Sequence, residues 1–207
     1  MTFYGNRQKF DGLSEAIGKA FMRLGLSANA ITALSLLPAL LSAYMIARSE
    51  FLAAALLFIV SAFLDMVDGA VARATGKASR FGAYLDTMVD RYVEFFVVFG
   101  ILMLALGGGV PGFILPAAAW LFIFYFGAIM TSYSKAAAKE KDFVKSEIRG
   151  GLVERAERLL ILFAGILLAG IDAVYLTFAI VLLAFLSNVT VIQRALIAIR
   201  ESGRSVF

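Results

Sequence analysis

Apolar residues along this 207-residue chain gather into six long blocks separated by short polar breaks. The blocks run roughly over Ala30–Ala47, Phe51–Ala72, Gly82–Leu106, Phe113–Ser134, Leu159–Ile171 and Ala173–Ile192. Most lie near the ~20 residues needed to cross ~30 Å of hydrocarbon. Lipid offers no partner to an open backbone, so the blocks predict an all-α integral membrane bundle of six transmembrane helices. Ahead of them, between Phe10 and Leu26, Leu13, Ile17, Phe21, Met22 and Leu24 alternate with Asp11, Glu15, Lys19 and Arg23. That pattern predicts an N-terminal amphipathic helix lying in the interface plane, although an ordinary helix packed on the bundle would show the same spacing. No cleavable signal pattern, repeat or linker interrupts the chain, and residues 1–207 read as a single membrane-embedded domain.

Composition agrees and narrows the chemistry. Hydrophobic residues make up 61% of the chain, well above the roughly half found in soluble domains. Cysteine and histidine are both absent. Disulfides, thiolate metal sites and histidine-activated nucleophiles are therefore excluded together. Metal or acid–base chemistry must rest on Asp, Glu, Lys, Arg or Tyr, and hard carboxylate ligands favour Mg²⁺, Mn²⁺ or Ca²⁺ over zinc.

The net charge of +4 would suggest a nucleic-acid partner in a soluble chain, but here its placement matters more. With the N-terminus in the cytoplasm, every basic residue except Arg48 falls on the cytoplasmic side or in the tail. Both termini are expected there by the positive-inside rule, with no role for nucleic acid. The opposite turns are nearly uncharged. Among them Gly107 to Gly112 holds a triple glycine, but no Lys-Ser/Thr pair follows it, so it reads as a hairpin turn rather than a phosphate loop.

Against this background one stretch is anomalous. Asp65 and Asp68 fall with Ala72 at i, i+3 and i+7 on one helix, and Gly82, Asp86, Asp90 and Glu94 follow at steps of four on the next. The segment between is short and basic, so the helices are antiparallel neighbours whose acidic faces can converge near their cytoplasmic ends. Each carboxylate costs roughly 2.5–3.5 kcal/mol in a membrane, and four of them on the order of 10 kcal/mol before repulsion. One or two divalent ions remove that problem, and a pair of metals suits phosphate transfer. Gly69, Gly82 and Ala72 leave room for a bulky ligand, and Arg73 offers donors to phosphate. A helix cap or a single ion pair would explain one such Asp but not four at this spacing. An ion or proton pathway is the sharper rival, although transporter carboxylates usually lie near the midplane on broken helices.

The order Asp65, two residues, Asp68-Gly69, two residues, Ala72-Arg73, eight residues, Gly82, three residues, Asp86, three residues, Asp90 fixes eight residues in 26 positions. It resembles the complete signature of the CDP-alcohol phosphotransferase family. Asn29 and Thr32 are similar to the Asn-x-x-Thr opening of that family's first membrane helix. The resemblance implies attack of an acceptor hydroxyl on the β-phosphorus of a CDP-linked donor, with CMP leaving. It implies Asp65, Asp68, Asp86 and Asp90 as ligands to one or two Mg²⁺ or Mn²⁺ ions, and Asp90 also as the general base. It places Gly69, Ala72, Arg73, Thr75, Gly76, Ser79 and Gly82 around the cytidine and diphosphate.

Further on, Thr131 to Glu140 and Gly150 to Arg158 resemble the branch of that family that uses inositol phosphate as acceptor. The donor expected there is CDP-diacylglycerol or CDP-archaeol, and the acceptor's phosphate is expected on Lys135, Arg155 and Arg194. Lys135 and Ala137 depart from a richer arginine pattern in that branch, so glycerol 3-phosphate, serine or a CDP-inositol and inositol phosphate pair stay open. Orientation in the membrane and contact with anionic headgroups would also account for the cations. A homodimer is expected by resemblance alone.

Overall fold

The computed structural model describes residue 21 and residues 25–141 and 151–204, with side chains of the last stretch as far as Glu201. The expected interfacial helix, apart from Phe21, Gly25 and Leu26, lies outside the described residues. Those that are described form helices joined by turns, with one isolated bridge between Phe113 and Leu115. In chain order the helices are α1 Ala28–Leu34, α2 Leu36–Ala47, α3 Phe51–Ala74, α4 Arg80–Leu106, α5 Ala117–Glu140, α6 Arg155–Ala169 and α7 Val174–Arg204. The chain forms two compact units, one of residues up to Ile46 with Ala53–Gly100, the other of Ala47–Leu52 with residues from Ile101 onward.

Among the described residues, four stretches are long and apolar enough to cross a membrane: Ala28–Ala47, Phe51–Ala74, Ala117–Glu140 and Val174–Glu201. The protein is an integral membrane helical protein on that ground. The other two expected spans fall short for different reasons. Charged residues Asp86, Asp90, Arg91 and Glu94 occupy the first half of α4, and the 15 residues of α6 reach only about 22 Å at 1.5 Å per residue.

In the first unit the opening block is two helices, not one. Pro38 has no N–H for the carbonyl of Leu34, so the ladder breaks one turn earlier, at Ser35. The Ser35 carbonyl receives only a long 3.4 Å bond from Ala39 N–H, and the buried Ser61 hydroxyl of α3 supplies a second donor at 2.9 Å. A third helix closes on the same element. A Cβ added to Gly100 would stand 2.5 Å from the Ala43 carbonyl oxygen and 2.7 Å from its Cα, so α2 and α4 touch backbone to backbone. Gly100→Ala should therefore lower the thermal midpoint in detergent, by an amount equivalent to about 1–3 kcal/mol. An unchanged midpoint would mean that the two backbones are not in contact.

The second unit packs α7 against α5 and α6. Gly127 of α5 faces Ser187 and Asn188 of α7, and Gly165 of α6 faces Leu176 and Ala179. Leu121, Phe124, Leu162, Ile166, Ile180 and Leu183 fill the space between them. Two apolar blocks end differently from their hydropathy. Phe113 to Pro116 is a turn, and α5 begins only at Ala117 but continues through the Ala- and Lys-rich residues to Glu140. α7 likewise runs past Ile192, because good helix formers carry the ladder on after the apolar run stops.

Candidate active site

The acidic site lies wholly in the first unit, and local backbone rules place its parts. α3 ends in a Schellman turn: Gly76 takes φ +64°, its N–H bonds the Arg73 carbonyl, and Lys77 N–H bonds that of Ala72. Thr75 folds its hydroxyl back onto the Val71 carbonyl at 2.8 Å. Three residues later Ser79 caps α4, accepting a 3.0 Å bond from Gly82 N–H at its Oγ. A connection of five residues, fixed at both ends, thus sets the two acidic helix faces against each other.

Those faces do converge. Asp65, Asp68 and Asp86 each offer a carboxylate oxygen, all three within 4.8 Å of one another. Asp68 is only 5% exposed, and its buried Oδ2 has no hydrogen-bond partner. A buried acceptor in that state costs roughly 1–3 kcal/mol or more when charged, and two neighbouring carboxylates add repulsion. A hard divalent cation relieves both, so the donor set and its orphaned oxygen fit Mg²⁺ or Mn²⁺. Asp90 stands one turn further along α4, half-buried and outside this group of three.

Asp68 and Asp86 also line a cleft of about 200 Å³. Its walls include Gly69, Ala72 and Arg73 from α3, Ser79 and Gly82 at the start of α4, and Asn29 and Thr32 from α1. Gly82 lies close to its neighbours: a Cβ there would stand 3.2 Å from the side-chain oxygen of Asn29 and from the Ser79 hydroxyl, which would each have to give by a few tenths of an ångström. At Gly69 the neighbour is the Arg73 guanidinium, 3.3 Å from where a Cβ would stand. Lys77 contributes a further cation to the wall. Thr75 lines an adjoining cleft instead, and Gly76 lines neither, its place being explained by the helix end.

The signature spacing, the grouped carboxylates and the cleft all point one way, and comparison with known sequences decides it. The family model for CDP-alcohol phosphatidyltransferase matches residues 26–198. The chain belongs to the CDP-alcohol phosphatidyltransferase family. It is 36% identical over 180 residues to archaetidylinositol phosphate synthase of Pyrococcus horikoshii, covering 87% of both chains. To phosphatidylinositol phosphate synthase of Streptomyces avermitilis it is 34% identical, over 89% of this chain and 77% of the relative. The fold is that of Mycobacterium tuberculosis phosphatidylinositol phosphate synthase in complex with manganese and citrate, with TM-score 0.78 at 28% identity over 89% of this chain and 88% of that one. The same enzyme with CDP-DAG bound gives TM-score 0.77 at 27% identity, over 89% and 92%. The manganese belongs to that neighbour; in this chain the feature to set beside it is the group of three carboxylates, Asp65, Asp68 and Asp86.

The second unit holds the other expected residues. Lys135, near the end of α5, and Arg155, at the start of α6, are half-buried. Arg194 of α7 is only 3% exposed; it donates to the Thr131 carbonyl at 2.6 Å and lies 3.6 Å from Glu154. Arg158 was not singled out by sequence, yet it is 2% exposed and donates to the Thr131 hydroxyl at 3.1 Å. Its signal was periodicity, since Arg158, Leu162, Gly165 and Ala169 mark the buried face of α6.

Proposed function

We propose that this protein moves a substituted phosphate from a CDP-linked lipid, CDP-diacylglycerol or CDP-archaeol, to the hydroxyl of inositol phosphate. The observation that carries this reading is the three-carboxylate group at the edge of a cleft whose walls are the signature residues. The acceptor oxygen attacks the β-phosphorus, the bond from that phosphorus to the bridging oxygen breaks, and CMP departs. Asp65, Asp68 and Asp86 would hold the divalent metal, which when bound neutralises charge on the diphosphate. Asp90, standing apart from the three, takes the acceptor's proton. Arg73 and Lys77 donate to the diphosphate oxygens, while Gly69, Ala72 and Gly82 keep the cleft open to the nucleotide.

The acceptor's phosphate falls to Lys135 and Arg155. Arg194 supports them by tying the α5 and α6 ends through Thr131 and Glu154. The relatives from Pyrococcus horikoshii and Streptomyces avermitilis support inositol phosphate as acceptor, since both are named as inositol phosphate lipid synthases. The chain serves as one membrane-embedded domain of six spans, α1 and α2 together making the first, with a homodimer as the working form. Basic residues clustered at the α3–α4 and α5–α6 connections support a cytoplasmic site with both termini on that side.

Purified protein given Mg²⁺, labelled CDP-lipid and a panel of acceptors should release CMP with inositol phosphate and not with serine or glycerol 3-phosphate. Release with another acceptor alone would overturn the acceptor assignment, and none with any acceptor would favour the transporter. Lys135→Ala and Arg155→Ala should each raise the KM for the acceptor by about 10- to 100-fold, the worth of one charged hydrogen bond, with the donor's KM nearly unchanged. Equal effects on both substrates would remove these residues from the acceptor's phosphate.

A further inference from the structure

The turn between α4 and α5 has a construction that the reaction does not use. No charged residue occurs between Glu94 and Lys135. At its apex Leu115 N–H bonds the Phe113 carbonyl at 2.6 Å across Ile114, whose φ is +60°, which is a γ-turn of the rare positive-φ kind. A β-branched residue adopts that backbone only when its surroundings force it. Here they do. Phe113 N–H bonds the Leu115 carbonyl at 3.0 Å, and the indole N–H of Trp120 donates to the Phe113 carbonyl at 2.6 Å. Thr177 of α7 holds the Pro111 carbonyl at 2.7 Å, and the Phe113 ring stands edge-on to Phe178 at 6.3 Å.

The result is an apolar side chain held outward. Ile114 is 87% exposed, flanked by exposed Phe113 and Leu115. Water would make this costly, but two features suit lipid. The backbone N–H and C=O groups of Phe113 and Leu115 are all bonded within the protein, as an apolar medium demands. The apex also leads directly into α5, where Phe122, Phe126, Ile129 and Tyr133 are exposed on one face. From Ala117 to Ser134, α5 is free of charge over about 27 Å, close to the ~30 Å hydrocarbon thickness. That length puts Lys135 near one boundary of the bilayer and the apex at the other.

We propose that Phe113–Leu115 is a lipid anchor, with Ile114 embedded at the headgroup–acyl boundary of the leaflet remote from Lys135. The anchor fixes the depth of α5 and of the first turns of α7, to which it is bonded. It is independent of the reaction assigned above.

The absence of native cysteine makes the test direct. Ile114→Cys and, separately, Leu115→Cys are labelled with an environment-sensitive fluorophore and reconstituted into phosphatidylcholine vesicles, with Lys139→Cys as the water-exposed reference. At both apex positions emission should shift to the blue, a lipid spin-labelled near its headgroup should remove most of it, and iodide should remove little. Strong quenching by iodide, equal to that at Lys139→Cys, would overturn the anchor. Blue emission that neither quencher reaches would also overturn it, in favour of cover by a second copy of the chain.

Discussion

Asp68→Asn should abolish nearly all turnover while making the metal-free protein more stable. The asparagine keeps the volume of the side chain and removes one of three carboxylates whose oxygens lie within 4.8 Å of one another. A metal supplies several kcal/mol of charge stabilisation in phosphate chemistry, and each 1.36 kcal/mol is a factor of ten. Loss of at least about 10²- to 10³-fold in kcat/KM is expected, together with weaker Mn²⁺ binding in a direct titration. Stability should move the opposite way. Asp68 is buried with an unpartnered oxygen, so removing its charge relieves on the order of 1–3 kcal/mol without metal. Added Mg²⁺ should raise the melting temperature of the parent protein and leave the variant's almost unmoved, as mass action requires. A variant that turns over at half the parent rate, or that melts lower without metal, would sink the assignment.

The second large effect is expected one turn along α4. Asp90→Asn should reduce kcat by about 10²- to 10⁴-fold, the usual worth of a positioned general base. Because Asp90 stands outside the group of three, binding of Mn²⁺ and of the CDP-lipid should change little. The contrast between the two variants is the informative measurement: one loses metal and rate together, the other rate alone. If Asp90→Asn lost Mn²⁺ binding as severely as Asp68→Asn, Asp90 would be a ligand and the proton would need another acceptor.

Much of this site could be read from residue spacing because helices convert spacing into faces. Asp65 and Asp68 at i and i+3, and Asp86 four before Asp90, fix which side chains share a side before any coordinate is known. Spacing alone does not say how two helices sit against each other, and the group whose oxygens come within 4.8 Å of one another is Asp65, Asp68 and Asp86. The same limit hid Arg158. As a basic residue near a membrane boundary it passed for an orientation signal, and only the neighbouring pattern of Leu162, Gly165 and Ala169 shows its burial. Hydropathy also failed at Phe113 to Pro116, since an apolar run has the same score in a turn as in a helix. Gly76 shows a different ambiguity. The resemblance assigned it to the nucleotide, while the backbone assigns it to the end of α3 through its positive φ. The Ser35 interruption was foreshadowed by Pro38, but the hydroxyl that answers it comes from Ser61, far along the chain.

The cleft and its carboxylates are drawn from one uninterrupted run of the chain, from Ala28 to Asp86. On the function proposed above, the groups that would hold the metal and the diphosphate therefore lie before Gly100, well separated along the chain from Lys135 and Arg155. On that function, substitutions at Lys135 and Arg155 should change which alcohol is used while leaving Asp65, Asp68 and Asp86 in place. Donor chemistry and acceptor choice would then be separable by mutation, each addressed in its own stretch of the chain.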